Sequence, residues 1–142
     1  MTRHYDLLIR GGVIVDGTGA SRYEGDIGID GDRIASIGIL KSCTADRVID
    51  ADGLIVAPGF IDAHTHDDRM LLASGDMTPK VSQGVTTVVA GNCGISLAPM
   101  PVPVSHPVVP PLDLLDDTGK WYRYRTFDDY IKALGASPAA VP

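Results

Sequence analysis

Residues 60–69 read FIDAHTHDDR, and the reading of this stretch decides the fold. An apolar, strand-like lead runs without a turn into two histidines one residue apart, then into two aspartates. A strand sends alternate side chains to opposite faces and rises ~3.3 Å per residue, so His64 and His66 are expected on one face roughly 7 Å apart. Two imidazoles so placed can converge on one cation, and zinc takes histidine nitrogen at about 2.0–2.1 Å. The alternative is a pair of solvated histidines in a polar turn. It leaves the spacing and the apolar lead VAPGFIDA unexplained.

Upstream, from Tyr5 to Val56, short β-branched runs alternate with Gly and Asp turns. YDLLI and VIVDG flank Arg10-Gly11-Gly12, DIGI and RIASIGIL flank Asp30-Gly31-Asp32, and RVIDA and LIVAP flank Asp52-Gly53. Asp-Gly between such runs is a strong hairpin signal, because glycine supplies the positive φ of the turn. Residues 1–58 are therefore expected to form a small antiparallel β unit. Cys43, in the polar loop KSCTAD, has no His or second Cys nearby and reads as a bystander thiol.

Downstream of Pro58-Gly59 the strands become continuously apolar, as when both faces of a parallel strand are covered. FIDAHTH is expected as the first strand, Thr78-Pro79-Lys80 as a helix start closed by Gly84, and VTTVVAGNCGIS as the second strand. Strand, helix, strand is a βαβ unit whose working ends are the strand C-termini, and both His66 and Cys93 fall there. Residues 99–111 hold six prolines and read as an extended surface loop, with His106 a solvated member of it. TFDDYIKALG then predicts a helix capped by Thr126, stopped by Gly135, with Phe127, Tyr130, Ile131 and Leu134 as its apolar stripe.

Cys93 differs from Cys43. It ends an apolar run between Asn92 and Gly94 and would neighbour His66 in a parallel sheet. A buried structural cysteine is the competing reading; beside two histidines, a soft thiolate ligand is favoured. Gly91 and Gly94 let backbone approach closely. Asp62, one step deeper on the histidine face, is a candidate to orient a ligand ring, or else a polar interior residue without that role. Asp67 and Asp68 read as caps for the following segment.

Composition narrows the function classes. The 142 residues are 44% hydrophobic and 21% charged, with a formal charge of −6 and a sequence pI near 4.9. That is the profile of an ordered globular chain without the basic footprint of a nucleic-acid binder. Neither a signal-peptide core nor a run of ~20 apolar residues is present, so no membrane partner and a cytoplasmic address are expected.

The residues PGFIDAHTHDD, with the β unit before them, resemble the amidohydrolase superfamily of metal-dependent hydrolases. The longer stretch HTHDDRMLLASGDMTPKVSQGVTTVVAGNCGISLAP is similar to the N-acyl-D-amino-acid deacylases, or D-aminoacylases, and the similarity extends through PLDLLDD and YRTFDDYIKAL. The resemblance implies an α/β fold: a TIM-barrel hydrolase carrying a small β-sandwich built from both chain ends. It also implies zinc bound by His64, His66 and Cys93. The implied reaction is hydrolysis of an N-acyl-D-amino acid to a carboxylate and a free D-amino acid. Hydantoinases and dihydroorotases more typically place a carboxylated lysine where the deacylases have the cysteine, so Cys93 argues against a cyclic amide substrate. A TIM barrel takes about 250 residues. Residues 59–142 are accordingly expected to supply only about two barrel strands, with the catalytic carboxylate and remaining ligands in a missing C-terminal portion of the same protein. The competing reading is a non-catalytic metal- or partner-binding remnant.

Overall fold

A computed structural model describes residues 3–141, which divide into two compact units, Met1–Pro58 and Gly59–Pro142. The first unit is a single five-stranded sheet: β1 (His4–Ile14), β2 (Tyr23–Asp30), β3 (Arg33–Gly38), β4 (Thr44–Asp50) and β5 (Ile55–Val56). The path runs β3-β2-β1-β4, with β5 also on β1.

The sheet is mixed rather than antiparallel. β2 pairs antiparallel with β1 and with β3, whereas β4 and β5 both run parallel to β1. Of the expected turns, Gly31-Asp32 closes a two-residue hairpin, with Asp30 opposite Arg33. Gly11-Gly12 does not: Gly11 takes φ +70°, the register shifts between Ile9 and Gly12, and β1 continues as one bulged strand. A Cβ on Gly12 would stand 2.5 Å from Val56 Cγ2, so this glycine admits β5 to the sheet. Asp52-Gly53 likewise joins two strands that lie end to end along β1 instead of folding back on each other. Glycine at positive φ serves a bulge as well as a hairpin, and local sequence does not separate the two.

The second unit opens with β6 (Phe60–Asp62), followed by α1 (Met70–Ala73), α2 (Thr78–Val81) and β7 (Val85–Val88). β6 and β7 pair in parallel, with Ile61 opposite Thr87 and Asp62 opposite Val88. Both strands stop sooner than expected. Polar residues and backbone turns begin at once after Asp62, and Gly91 (φ +75°), Cys93 (φ +58°) and Gly94 (φ +71°) turn the chain beyond β7. α1 was not anticipated. α2 starts one residue early, because Met77, fully buried at φ +47°, is its N-cap in place of Thr78.

The core of this unit gathers Ile95, Leu97, Ala98, Val108, Leu115, Tyr122, Tyr124 and Tyr130. The proline-rich segment is thus not only surface loop: Val108 is buried and Met100 and Val104 pack on the same cluster, while His106 is exposed. α3 (Phe127–Ala136) carries the expected capping box, Thr126 with Asp129, but runs through Gly135 to a C-cap at Ser137. Of its apolar stripe only Tyr130 is buried; Phe127 is 60% exposed. No helix among the described residues is long and apolar enough to cross a membrane.

Candidate metal centre

The two parallel strands end beside each other, and everything of chemical interest sits on the turns that follow. Thr65 N–H donates to Val89 O, and Val89 N–H to Asp62 O, so main-chain bonds carry the alignment past the strand ends. His64 and His66 flank buried Thr65 on one exit; Cys93 occupies a 3₁₀ turn, Asn92–Gly94, on the other.

These three residues converge. One nitrogen of each ring and the Cys93 sulfur lie within 4.8 Å of one another. His64 Nε2 is 3.2 Å from Cys93 Sγ, and the two rings meet edge to face at 5.7 Å between centroids. His66 Nδ1 is buried without a hydrogen-bond partner. Such orphaned nitrogens are rare unless another ligand satisfies them. Two imidazoles and a soft thiolate match the N/S donor set of zinc, and about 3.5 Å between donors is what tetrahedral bonds of 2.0–2.3 Å require. The residues present therefore fit a zinc ion.

The exits are clamped by side chains whose roles the linear sequence did not reveal. Asn92 Nδ2 donates to Val89 O at 2.5 Å and to Thr65 O at 3.2 Å, tying the cysteine turn to the histidine segment. Asp68, 2% exposed, does not cap the next helix; it accepts from Gly91 N–H (3.2 Å) and Ser96 Oγ–H (2.9 Å), gripping the Cys93 turn from both sides. Tyr130 O–H donates to Asp68 O, so α3 braces the same point. Asp67 likewise caps with its main chain only, its carbonyl accepting from Leu71 N–H.

Asp62 contacts main chain where a ring contact was anticipated. Its Oδ1 accepts from His64 N–H at 3.3 Å, and its Oδ2 pairs with Lys80 Nζ at 2.6 Å. The Lys80 ammonium holds the Asp62 carboxyl below the usual carboxylate range, aided by the His64 amide and opposed by burial. Reciprocally, the hydrogen bond to Asp62 first, and Asp67 second, raise Lys80. Lys80 is separated from these partners by 13 residues or more, with no periodic signal connecting them, which is why the sequence did not disclose it.

Comparison with known proteins agrees with this arrangement. A D-aminoacylase of Alcaligenes xylosoxydans xylosoxydans is 56% identical over 138 residues, 96% of this chain. A solved D-aminoacylase described by its binuclear metal centre superposes with a TM-score of 0.87 at 54% identity, over 96% of this chain. An N-acyl-D-glutamate deacylase from Bordetella bronchiseptica, complexed with zinc and a phosphonate mimic of the tetrahedral intermediate, gives 0.85 at 44% identity over 98%. The chain spans 28% of the length of each of these relatives. The amidohydrolase family profile matches residues 47–138, a span that contains both strand exits, the histidine pair and Cys93. The chain belongs to the amidohydrolase family.

Proposed function

We propose that this chain is the N-terminal, metal-binding portion of a zinc-dependent N-acyl-D-amino-acid deacylase that releases a carboxylate and a free D-amino acid. The convergence of His64, His66 and Cys93 within 4.8 Å carries the reading, and the similarity to D-aminoacylase supports the substrate class. His64, His66 and Cys93 would hold the ion at the ends of the first two strands of a TIM barrel, with residues 1–58 contributing to a β-sandwich. When bound, zinc supplies Lewis acidity, polarising an acyl carbonyl and making hydroxide available from water near neutral pH. The chain's own residues hold the donors in place: Asp62 fixes the His64 main chain, and Asn92 and Asp68 fix the Cys93 turn. Remaining ligands and the carboxylate base come from sequence outside residues 1–142. Phe60 and Ile61, each 65% exposed on β6, suit coverage by such further chain. Free Cys43 and Cys93 suit a reducing, cytoplasmic setting.

The test compares the full-length protein with residues 1–142 alone, measuring D-amino-acid release from N-acetyl-D-amino acids and zinc by elemental analysis. The full-length protein is expected to turn over and to lose both zinc and activity on His66→Ala or Cys93→Ala; the isolated chain is expected to be inactive. Full zinc content in Cys93→Ala, with only the melting temperature lowered, would make Cys93 a structural residue and defeat the reading.

A further inference from the structure

A single ammonium brackets both candidate ligand histidines. Lys80 Nζ lies 2.6 Å from Asp62 Oδ2, 3.2 Å from Thr65 Oγ1 and 2.8 Å from Asp67 Oδ2. An ammonium has three donors, and here all three point at one short segment. In sequence order the segment reads Asp62, His64, Thr65, His66, Asp67, so a partner of Lys80 stands before His64, between the histidines and after His66. The Lys80 side chain is 19% exposed and that of Asp67 13%, unlike the solvated ion pairs that contribute little elsewhere. Its base is rigid as well, since the Lys80 amide bonds to Met77 O and Met77 is fully buried against Leu71 and Val141.

We infer that Lys80 is a positioning residue for the metal centre, fixing the main chain on both sides of each histidine so that the two rings meet one cation. The inference rests on the metal reading above. Lys80 bonds to neither imidazole; it acts through Asp62, which holds the His64 amide, and through Thr65, whose amide is bonded to Val89 O. A surface lysine with a solvated role would show no such convergence. A purely electrostatic role makes the opposite prediction, because a cation beside the site repels a divalent ion.

The test is a charge-balanced pair, Lys80→Met with Asp62→Asn, in the full-length protein. It removes one positive and one negative charge together, so the Coulomb effect on a bound cation largely cancels while the bracket is lost. Zinc affinity is read by chelator competition, and donor geometry by the cobalt(II)–thiolate and d–d absorption of cobalt-loaded protein. The expected result is roughly a 10- to 100-fold weaker zinc affinity with altered cobalt bands, the usual effect of losing an outer partner of a metal ligand. Thr65→Val, which leaves every charge in place, should shift affinity in the same direction by less and serves if the double variant does not fold. Thr126→Ala, which weakens a helix cap in the same unit, should lower the melting temperature and leave the cobalt spectrum unchanged. Unaltered affinity and spectrum in the Lys80 and Thr65 variants would overturn the positioning role. Failure of the unsubstituted protein to bind zinc or cobalt would instead overturn the metal reading itself.

Discussion

Asn92→Ala separates a sulfur that is merely nearby from one that is held in place. Cys93 sits at φ +58°, ψ +17°, a left-handed conformation that costs a non-glycine residue about 1–2 kcal/mol. Asn92 Nδ2 spans Val89 O and Thr65 O at 2.5 and 3.2 Å, and two such bonds contribute about 2 kcal/mol net. The clamp and the strain are therefore of the same size, and without the clamp the turn can relax and carry the sulfur away from His64. If the ion must then supply the lost ~2 kcal/mol, zinc affinity falls roughly 30-fold. The assay is chelator competition on the full-length protein, with the cobalt(II)–thiolate band reporting the Cys93 bond directly. Asn92→Asp should be at least as damaging, since it removes both donors and sets a carboxylate against two carbonyls. Unchanged zinc affinity in Asn92→Ala, accompanied only by a lower melting temperature, would refute the argument and make Asn92 a stabilising residue without influence on the ligand.

Two further expectations test the packing around this site. At Gly59 an added Cβ would stand 2.2 Å from Thr86 Cγ2 and Oγ1, so Gly59→Ala should destabilise the strand pair by about 1–3 kcal/mol. Denaturant unfolding should show the loss and its partial recovery on adding Thr86→Gly. Burial first, then the carboxylates of Asp116, Asp68 and Asp113, push the Tyr122 phenol up to about 12. A raised folded-state value favours the neutral form, so its stabilisation is complete below the unfolded value of about 10 and is lost as pH rises through about 12. Unfolding free energy should decline across that window, and Tyr122→Phe should flatten the decline.

Much of the site was legible because its signals are local. The His-x-His spacing after an apolar lead, the glycines around Cys93 and the Thr126 cap each depend on residues within a few positions of one another. The hairpin at Gly31-Asp32 was readable for the same reason. The bulge at Gly11-Gly12 was not, since one strand that continues and two that fold back use the same glycine chemistry. What separates them is the parallel partners β4 and β5 on the far edge of β1.

The amino-acid sequence by itself determined which donors exist and that two of them share a short segment: two imidazoles, and a thiolate 27 residues beyond His66 in a glycine-rich turn. Only the tertiary structure decided that the three meet. It places His64 and His66 past the end of β6 where a continuing strand was anticipated, turns Cys93 back through a left-handed conformation, and draws Lys80, Asn92 and Asp68 to the same point. The physical reason is that ligand convergence is a property of turns held from a distance. A strand's period of two sets the side of the sheet, but hydrogen bonds between residues 13 to 28 apart set the ångströms that a metal would require.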